Sequence, residues 1–202
     1  MTVRTRRTGW MDANELMNQL ASDAEYQQRM RAAEAEREVR AAALRRAERL
    51  IVDELAASGI NVGSVWDLVN TAEPNPGALP LLNRHFETGG YPEKVMESIG
   101  RALAVKPSVV YWERIRARYV DARCAGEETG AAVALAACAT RTQFEDLLSL
   151  IKATGRGDSR LFFLQPIRKL GGDWGIAVLR SLLGDPVFGK EAKSRLGKLG
   201  RQ

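Results

Sequence analysis

The sequence predicts an all-α protein, an α-solenoid of about four helix pairs preceded by a long charged helix. Three observations carry this. Runs that alternate Val, Ile and Thr with polar residues are almost absent, so strands are not expected. Apolar residues recur instead at helical spacing along most of the chain. From Gly77 onward, a unit of two short helical patterns separated by Gly, Pro or Asp returns about every 30 residues. The second helices open at related punctuation: Tyr91-Pro92-Glu93, Gly126-Glu127-Glu128, Gly157-Asp158-Ser159 and Asp185-Pro186-Val187. A single pair of this size cannot bury its apolar face alone, so neighbouring pairs must stack.

The chain divides into residues 1–22, a flexible basic arm with a short helix; 23–58, a long charged helix; and 59–202, the repeat domain. Asp12-Ala13-Asn14-Glu15 has capping-box spacing and starts a helix through Ala21. Ser22-Asp23-Ala24-Glu25 opens the long helix, which runs to Ser58 with Gly59 as its stop. Glu25 with Arg29 and Glu36 with Arg40 stand at ion-pair spacing. Leu44, Ala47, Ile51 and Leu55 form an apolar stripe, so this half docks on the repeats. Between Gln27 and Arg40 the apolar residues are mostly alanine. Two outcomes fit that face: a solvated helix, or one seam of a weak homo-oligomer through residues 23–58.

A short helix is expected around Val65–Val69, broken by Pro74, Pro76 and Gly77. The first pair is 78–86, a Gly89-Gly90 turn, then a helix from Pro92 with Val95, Met96, Ile99, Ala102 and Leu103 on one face. The second starts at Pro107 with Val109, Val110, Trp112, Ile115 and Tyr119 apolar. Gly126 separates it from an alanine-rich helix, Thr129–Ala139, apolar on nearly every side and therefore central. Thr140-Arg141-Thr142-Gln143 caps the third pair, whose stripe is Phe144, Leu147, Leu148 and Ile151. Its return helix carries Leu161, Phe162, Leu164, Ile167 and Leu170, and Pro166 should kink it. Gly171-Gly172 is a helix stop. The fourth pair is Asp173–Leu183 and Pro186–Leu199, the latter lysine-rich as a terminal cap should be.

The chain has 202 residues and a net charge of +5. No long uncharged apolar run is present, so no membrane span is expected, and no apolar stretch follows Arg4, Arg6 and Arg7 as in a secretory leader. The expected location is the cytoplasm. Cys124 and Cys138, the two cysteines, fall in helical context and read as packing thiols. The basic excess is local: residues 156–202 hold ten Lys/Arg against four Asp/Glu, while the rest is balanced.

No catalytic, metal or cofactor motif is found. His85 is the single histidine, and a metal or catalytic role would need companions; it reads as an ordinary surface or helix-end residue. Gly155-Arg156-Gly157 is too short for a phosphate loop and no strand precedes it. The strongest candidate is the cluster Arg156, Arg160, Gln165, Arg168, Lys169, Lys190, Lys193, Arg195 and Lys198. Arg160 and Arg168 share a helix side, and Lys190 and Lys193 share one on the next second helix. In a stacked array such rows merge into a basic strip suited to phosphates or an acidic protein tail.

These pairs resemble HEAT-type repeats over residues 74–200. The resemblance rests on Arg101-Ala102-Leu103, on Gly157–Leu164, and on Leu182-Leu183-Gly184-Asp185-Pro186, which gives the helix–Asp–Pro–helix turn of the class. It implies a right-handed superhelix whose concave face, lined by the second helices, binds an elongated partner; most members are protein-binding scaffolds. The expected function is thus a non-enzymatic scaffold or adaptor whose partner is another protein. The alternative is nucleic-acid binding through the basic strip. Its enzymatic variant resembles the bacterial alkylbase DNA glycosylases, which place an aspartate and tryptophans in a basic groove of such a fold. Asp173-Trp174 and Trp112-Glu113 are the comparable pairs here, outside any family motif, and both tryptophans read as core packing.

Overall fold

Local signals set the helix ends. In the computed structural model, which describes residues 12–69, 71, 75–153 and 155–197, nine α-helices and no strand occur among the described residues. Helix α1 is Ala13–Ser22 and α2 is Ala24–Ala57. The cap of α2 is Asp23 rather than Ser22: Asp23 Oδ1 accepts from the N–H groups of Glu25 and Tyr26, each at 3.0 Å. The Ser22 hydroxyl instead donates back to Asn18 and Gln19 carbonyls, and Asp12 makes no side-chain cap. At the other end Gly59 adopts φ +81°. The Ile60 N–H reaches Leu55 O and the Gly59 N–H reaches Ala56 O, both at 2.9 Å, closing a Schellman motif that a side chain at position 59 would strain.

Two compact units are present, Met1–Ala43 and Leu44–Gln202, with the boundary inside α2. In the first, Gln27 Nε2 donates to Leu20 O at 3.0 Å across the α1–α2 turn. The Glu36–Arg40 pair forms at 3.0 Å, and Met30 and Val39 are exposed. In the second, Ile51 and Leu55 of α2 are fully buried. Glu48 is buried on the same face, and its carboxylate accepts from the Ser64 hydroxyl at 3.2 Å and the Val65 N–H at 3.1 Å. It thereby holds the 3-10 turn Val65–Leu68, which carries its own Ser64/Asp67 capping box.

The remaining helices are α3 Leu79–Thr88, α4 Glu93–Ala102, α5 Trp112–Val120, α6 Ala125–Cys138, α7 Phe144–Lys152, α8 Leu164–Ser181 and α9 Gly189–Gly197. Short 3-10 turns precede α5, α7 and α8 at 106–111, 141–143 and 158–163. Helix α3 packs on α4 and α5, and α8 packs on α9. Helix α6 touches α4, α5, α8 and the turns at 106–111 and 158–163, so it lies at the centre, as its alanine-rich sequence predicts.

Three expectations need correction. Gly126 is not a separator: α6 starts at Ala125 and includes it. Gly126 and Gly130, one turn apart, face α4 at backbone contact; a Cβ on Gly126 would lie 2.0 Å from Glu93 O, and one on Gly100 would lie 2.4 Å from Gly130 Cα. Pro166 does not kink its helix, because it is the third residue of α8, where the missing N–H has no intrahelical acceptor to lose. The break falls at Gly172 (φ 56°, ψ −128°), which splits α8 where the expected return helix and fourth-pair helix meet. Val110, expected on the apolar face, is 77% exposed.

Burial pushes the Cys138 thiol up to about 12, against weaker opposing effects from a backbone hydrogen bond and the Lys106 charge. The unfolded thiol ionises near 8.5, so the folded chain retains that proton over the interval between. This contribution to stability is complete below about pH 8.5 and is lost as pH rises toward 12. Thermal melts between pH 8 and 11 should show a falling Tm that Cys138→Ala makes shallower; an unchanged slope would remove this thiol from the cause.

Candidate functional site

Six cations between residues 106 and 168 are placed by helix ends. The last carbonyls of a helix lack intrahelical donors and carry partial negative charge, so they attract Lys and Arg. Arg118 donates to Glu87 O at the end of α3, and Arg156 to Val120 O and Ala122 O at the end of α5. Lys106 Nζ donates to Ala139 O at 3.0 Å, just past α6. Arg160 donates to Ile151 O at 3.4 Å and Ala153 O at 3.3 Å, at the end of α7. Arg141 reaches Leu170 O before the Gly172 break, and Arg168 reaches Arg195 O in α9, both at 3.4 Å.

The proposed strip is therefore distributed. Arg156 also stands 3.6 Å from Glu128 and over the Tyr119 ring, and Arg160 lies over the Phe188 ring at 5.0 Å. Arg168 is half-buried, with its Nε buried and without a hydrogen-bond partner. Arg195 is held by Glu191 at 2.6 Å and donates to Gln165. Lys169, Lys190 and Lys193 are exposed. Lys198 lies outside the described residues. The structure brings Gln165, Arg168 and Arg195 together but sends Arg156 and Arg160 to separate helix ends.

What Gln165 and Arg195 border is an apolar groove of about 670 Å³ between α6, the segment 158–166 and α9. Its walls are Val133, Ala136 and Ala137 of α6 facing Leu161, Phe162 and Pro166. Thr129, Asp158, Ser159 and Glu191 complete the lining. Phe162, expected on an inward stripe, is 40% exposed here. The surplus apolar surface of α6, which sequence alone assigns wholly to the core, partly lines this groove: Val133, Ala136 and Ala137 are half-buried.

A second hollow of about 560 Å³ lies between α7 and the last part of α8, with Leu148, Ile151, Trp174, Val178, Leu182 and Phe188 among its walls. Trp174 is 59% exposed and meets Phe144 edge-on at 5.8 Å, which corrects its reading as core. Trp112 is buried as expected, its Nε1 donating to Asp146 at 2.8 Å.

His85 is buried in the last turn of α3, not on the surface. Its Nδ1 is 2.7 Å from the Tyr91 hydroxyl and its Nε2 is 2.8 Å from Glu54, which also accepts from Arg84. This chain ties α2 to α3 and to the following turn. The missing signal was distance: Glu54 is 31 residues away and at no motif spacing. The His85 hydrogen bond, with the His85 and Arg84 charges, holds the Glu54 carboxyl below its ordinary value despite some burial. Burial and the Glu54 charge push the Tyr91 hydroxyl up. A depressed carboxyl stabilises the fold above its unfolded pKa, and the contribution is lost as pH falls through the folded value. Acidification below about pH 4.5 should therefore lower the amide protection factors, which compare exchange with that of the unstructured chain at the same pH, in residues 44–57, and Glu54→Gln should weaken that acid dependence. Some will remain through Glu97, where burial acts upward but the Lys94 and Arg101 hydrogen bonds prevail.

Among the described residues no group of three or more His, Cys, Asp or Glu side chains is arranged to hold a metal, and no helix is long and apolar enough to cross a membrane. Comparison of the chain with models of known families, with curated proteins and with solved structures gave no match.

Proposed function

We propose that the chain is a non-enzymatic protein-binding scaffold or adaptor of HEAT-like type, acting in the cytoplasm, with its second helices stacked into a solenoid and the groove beside α6 as the recognition surface. The observation that supports this is the groove's composition: half-buried small side chains on α6 facing a 40% exposed phenyl ring, Phe162. Aromatic side chains are enriched in the buried core of protein interfaces, and Phe162 offers one at the edge of an apolar hollow. Internal pairing of Arg156, Arg160 and Arg195 with carbonyls, Glu191 and Gln165 favours an apolar contact over a charged strip.

The test is capture of specific proteins from nuclease-treated lysate. Phe162→Glu with Ala137→Glu should abolish capture while leaving the helical circular dichroism unchanged; charge reversal at Lys190 and Lys193 should not. The opposite pattern would move recognition to the lysines. The nucleic-acid alternative rests on Lys169, Lys190 and Lys193, which are exposed. Three phosphate contacts would give a slope of log affinity against log salt of roughly −2.7 on duplex DNA. Absence of binding at low salt would end that alternative and its glycosylase variant. Self-association through residues 23–58 rests on exposed Met30 and Val39. A sedimentation coefficient constant over a hundredfold concentration range would end that part of the proposal.

A further inference from the structure

The groove has an uneven rim. Glu191 is neutralised by Arg195 at 2.6 Å, and Arg195 is also held by Gln165. Behind the same end, Glu128 accepts from the Gly157 N–H at 3.1 Å and the Ser159 hydroxyl and stands 3.6 Å from Arg156. Asp158 lines the groove, is exposed, and makes no side-chain hydrogen bond or ion pair among the described residues. Among the described residues it is therefore the one lining charge left uncompensated. The walls also constrain the occupant. Backbone N–H and C=O groups along α6 are consumed within the helix, and the facing wall is the 3-10 turn 158–163 running into α8, so neither side presents an extended edge for an added strand. An occupant buried in it must satisfy its own backbone, which a helix does.

We propose, resting on the groove being the binding surface, that it takes an amphipathic helix of a partner protein, which lays aliphatic side chains between Val133 and Phe162 and sets a lysine or arginine against Asp158. This preference opposes the whole-chain charge of +5, which by itself would favour an acidic ligand. The discrimination therefore reports the rim and not the bulk field.

Two labelled synthetic helices with the same leucine–alanine stripe, one flanked by lysine and one by glutamate, serve as probes in fluorescence anisotropy with the full chain. The lysine helix should bind about three- to fivefold more tightly at low salt, the scale of one exposed charge pair, with the gap narrowing as salt rises. Asp158→Asn should close the gap while leaving the glutamate helix's affinity unchanged or improved. Phe162→Glu should abolish binding of both. Equal binding, a preference for the glutamate helix, or a gap that survives Asp158→Asn overturns the charge assignment and leaves the groove standing. Failure of both probes to bind the unaltered chain overturns the groove itself.

Discussion

Alanine at Gly100 will lower the melting temperature, although alanine in place of glycine within a helix ordinarily raises it. The gain in helix propensity is about 1 kcal/mol. Against it stands a methyl group placed 2.4 Å from the Cα and the carbonyl carbon of Gly130, atoms that belong to another helix's backbone and have no rotamer to change. Helices α4 and α6 must separate, and every buried side chain across that seam, from Met96 and Ile99 to Ala131 and Leu135, then loses contact. Overpacking a well-filled interior costs roughly 1–3 kcal/mol and occasionally more. We expect a net loss of about 2 kcal/mol, or roughly 4–8 °C in Tm for a domain of this size. Gly126→Ala should be worse, because its methyl would meet the Glu93 carbonyl oxygen at 2.0 Å. The Gly100→Ala/Gly130→Ala double variant should lose less than the two singles combined, since one helix shift relieves both. Gly184→Ala is the control, with nothing within 4 Å of the added carbon. Thermal denaturation followed by circular dichroism decides it: a stabilised Gly100→Ala protein would mean the two backbones are not in contact.

Truncating Tyr119 should be more damaging, for the opposite reason. Its side chain is fully buried, meets Phe163 edge-on at 5.3 Å, and lies 3.2 Å by its hydroxyl from Ser159. Arg156 covers its other side while bonding the end of α5. Tyr119→Ala leaves a cavity where α5, the 158–163 turn and the Glu128–Ser159–Arg156 cluster meet, and large aromatic truncations of this kind cost about 3–5 kcal/mol. Tyr119→Phe keeps the ring and should cost about 1 kcal/mol, the net value of one hydrogen bond. Urea melts separate the two: a Tyr119→Ala loss no greater than that of Tyr119→Phe would show the ring to be a bystander. Burial chiefly raises the Tyr119 hydroxyl's pKa, with Ser159 and the Arg156 and Arg160 charges opposing and Glu128 adding. A raised acid contributes stability that is lost as pH climbs through the folded value, so this hydroxyl should add to the alkaline slope assigned above to Cys138.

Much of the helical layout was legible because its signals are short-range. The Gly59 stop, the Thr140–Gln143 capping box, the Gly89-Gly90 turn and the buried faces of α4 and α7 lie where caps and 3.6-residue spacing put them. The Asp23 cap was displaced by one residue, and Phe188 ended in a turn that Asp185 holds through the Val187 and Phe188 N–H groups. Gly126 is ambiguous in the sequence because a glycine that punctuates a helix and a glycine that lets two helices touch are the same letter. Only the position of Glu93, a third of a hundred residues upstream, tells them apart.

The candidate site was legible only in part. Gln165 and Arg195 do border a groove, but Arg156 and Arg168 are bound to carbonyls that lie far away in the chain, and periodicity on one helix says nothing about what its neighbour presents. His85 and Trp174 failed in opposite directions for the same reason: burial of a lone polar or aromatic residue is decided by the surface that arrives against it.

What the amino-acid order determined by itself was a chain of helices without strands, with those ends marked by a cap or a left-handed glycine set within a residue or two, because capping and glycine act over a single turn of backbone; the starts of α5, α6 and α9 lie three to five residues from where the sequence puts them. What only the packed molecule decided was the Gly100–Gly130 crossing, the delivery of cations to helix ends and the apolar groove left open beside α6. Each of these depends on pairs of groups some thirty residues apart, whose meeting is selected by the free energy of the assembled core and not by any local preference.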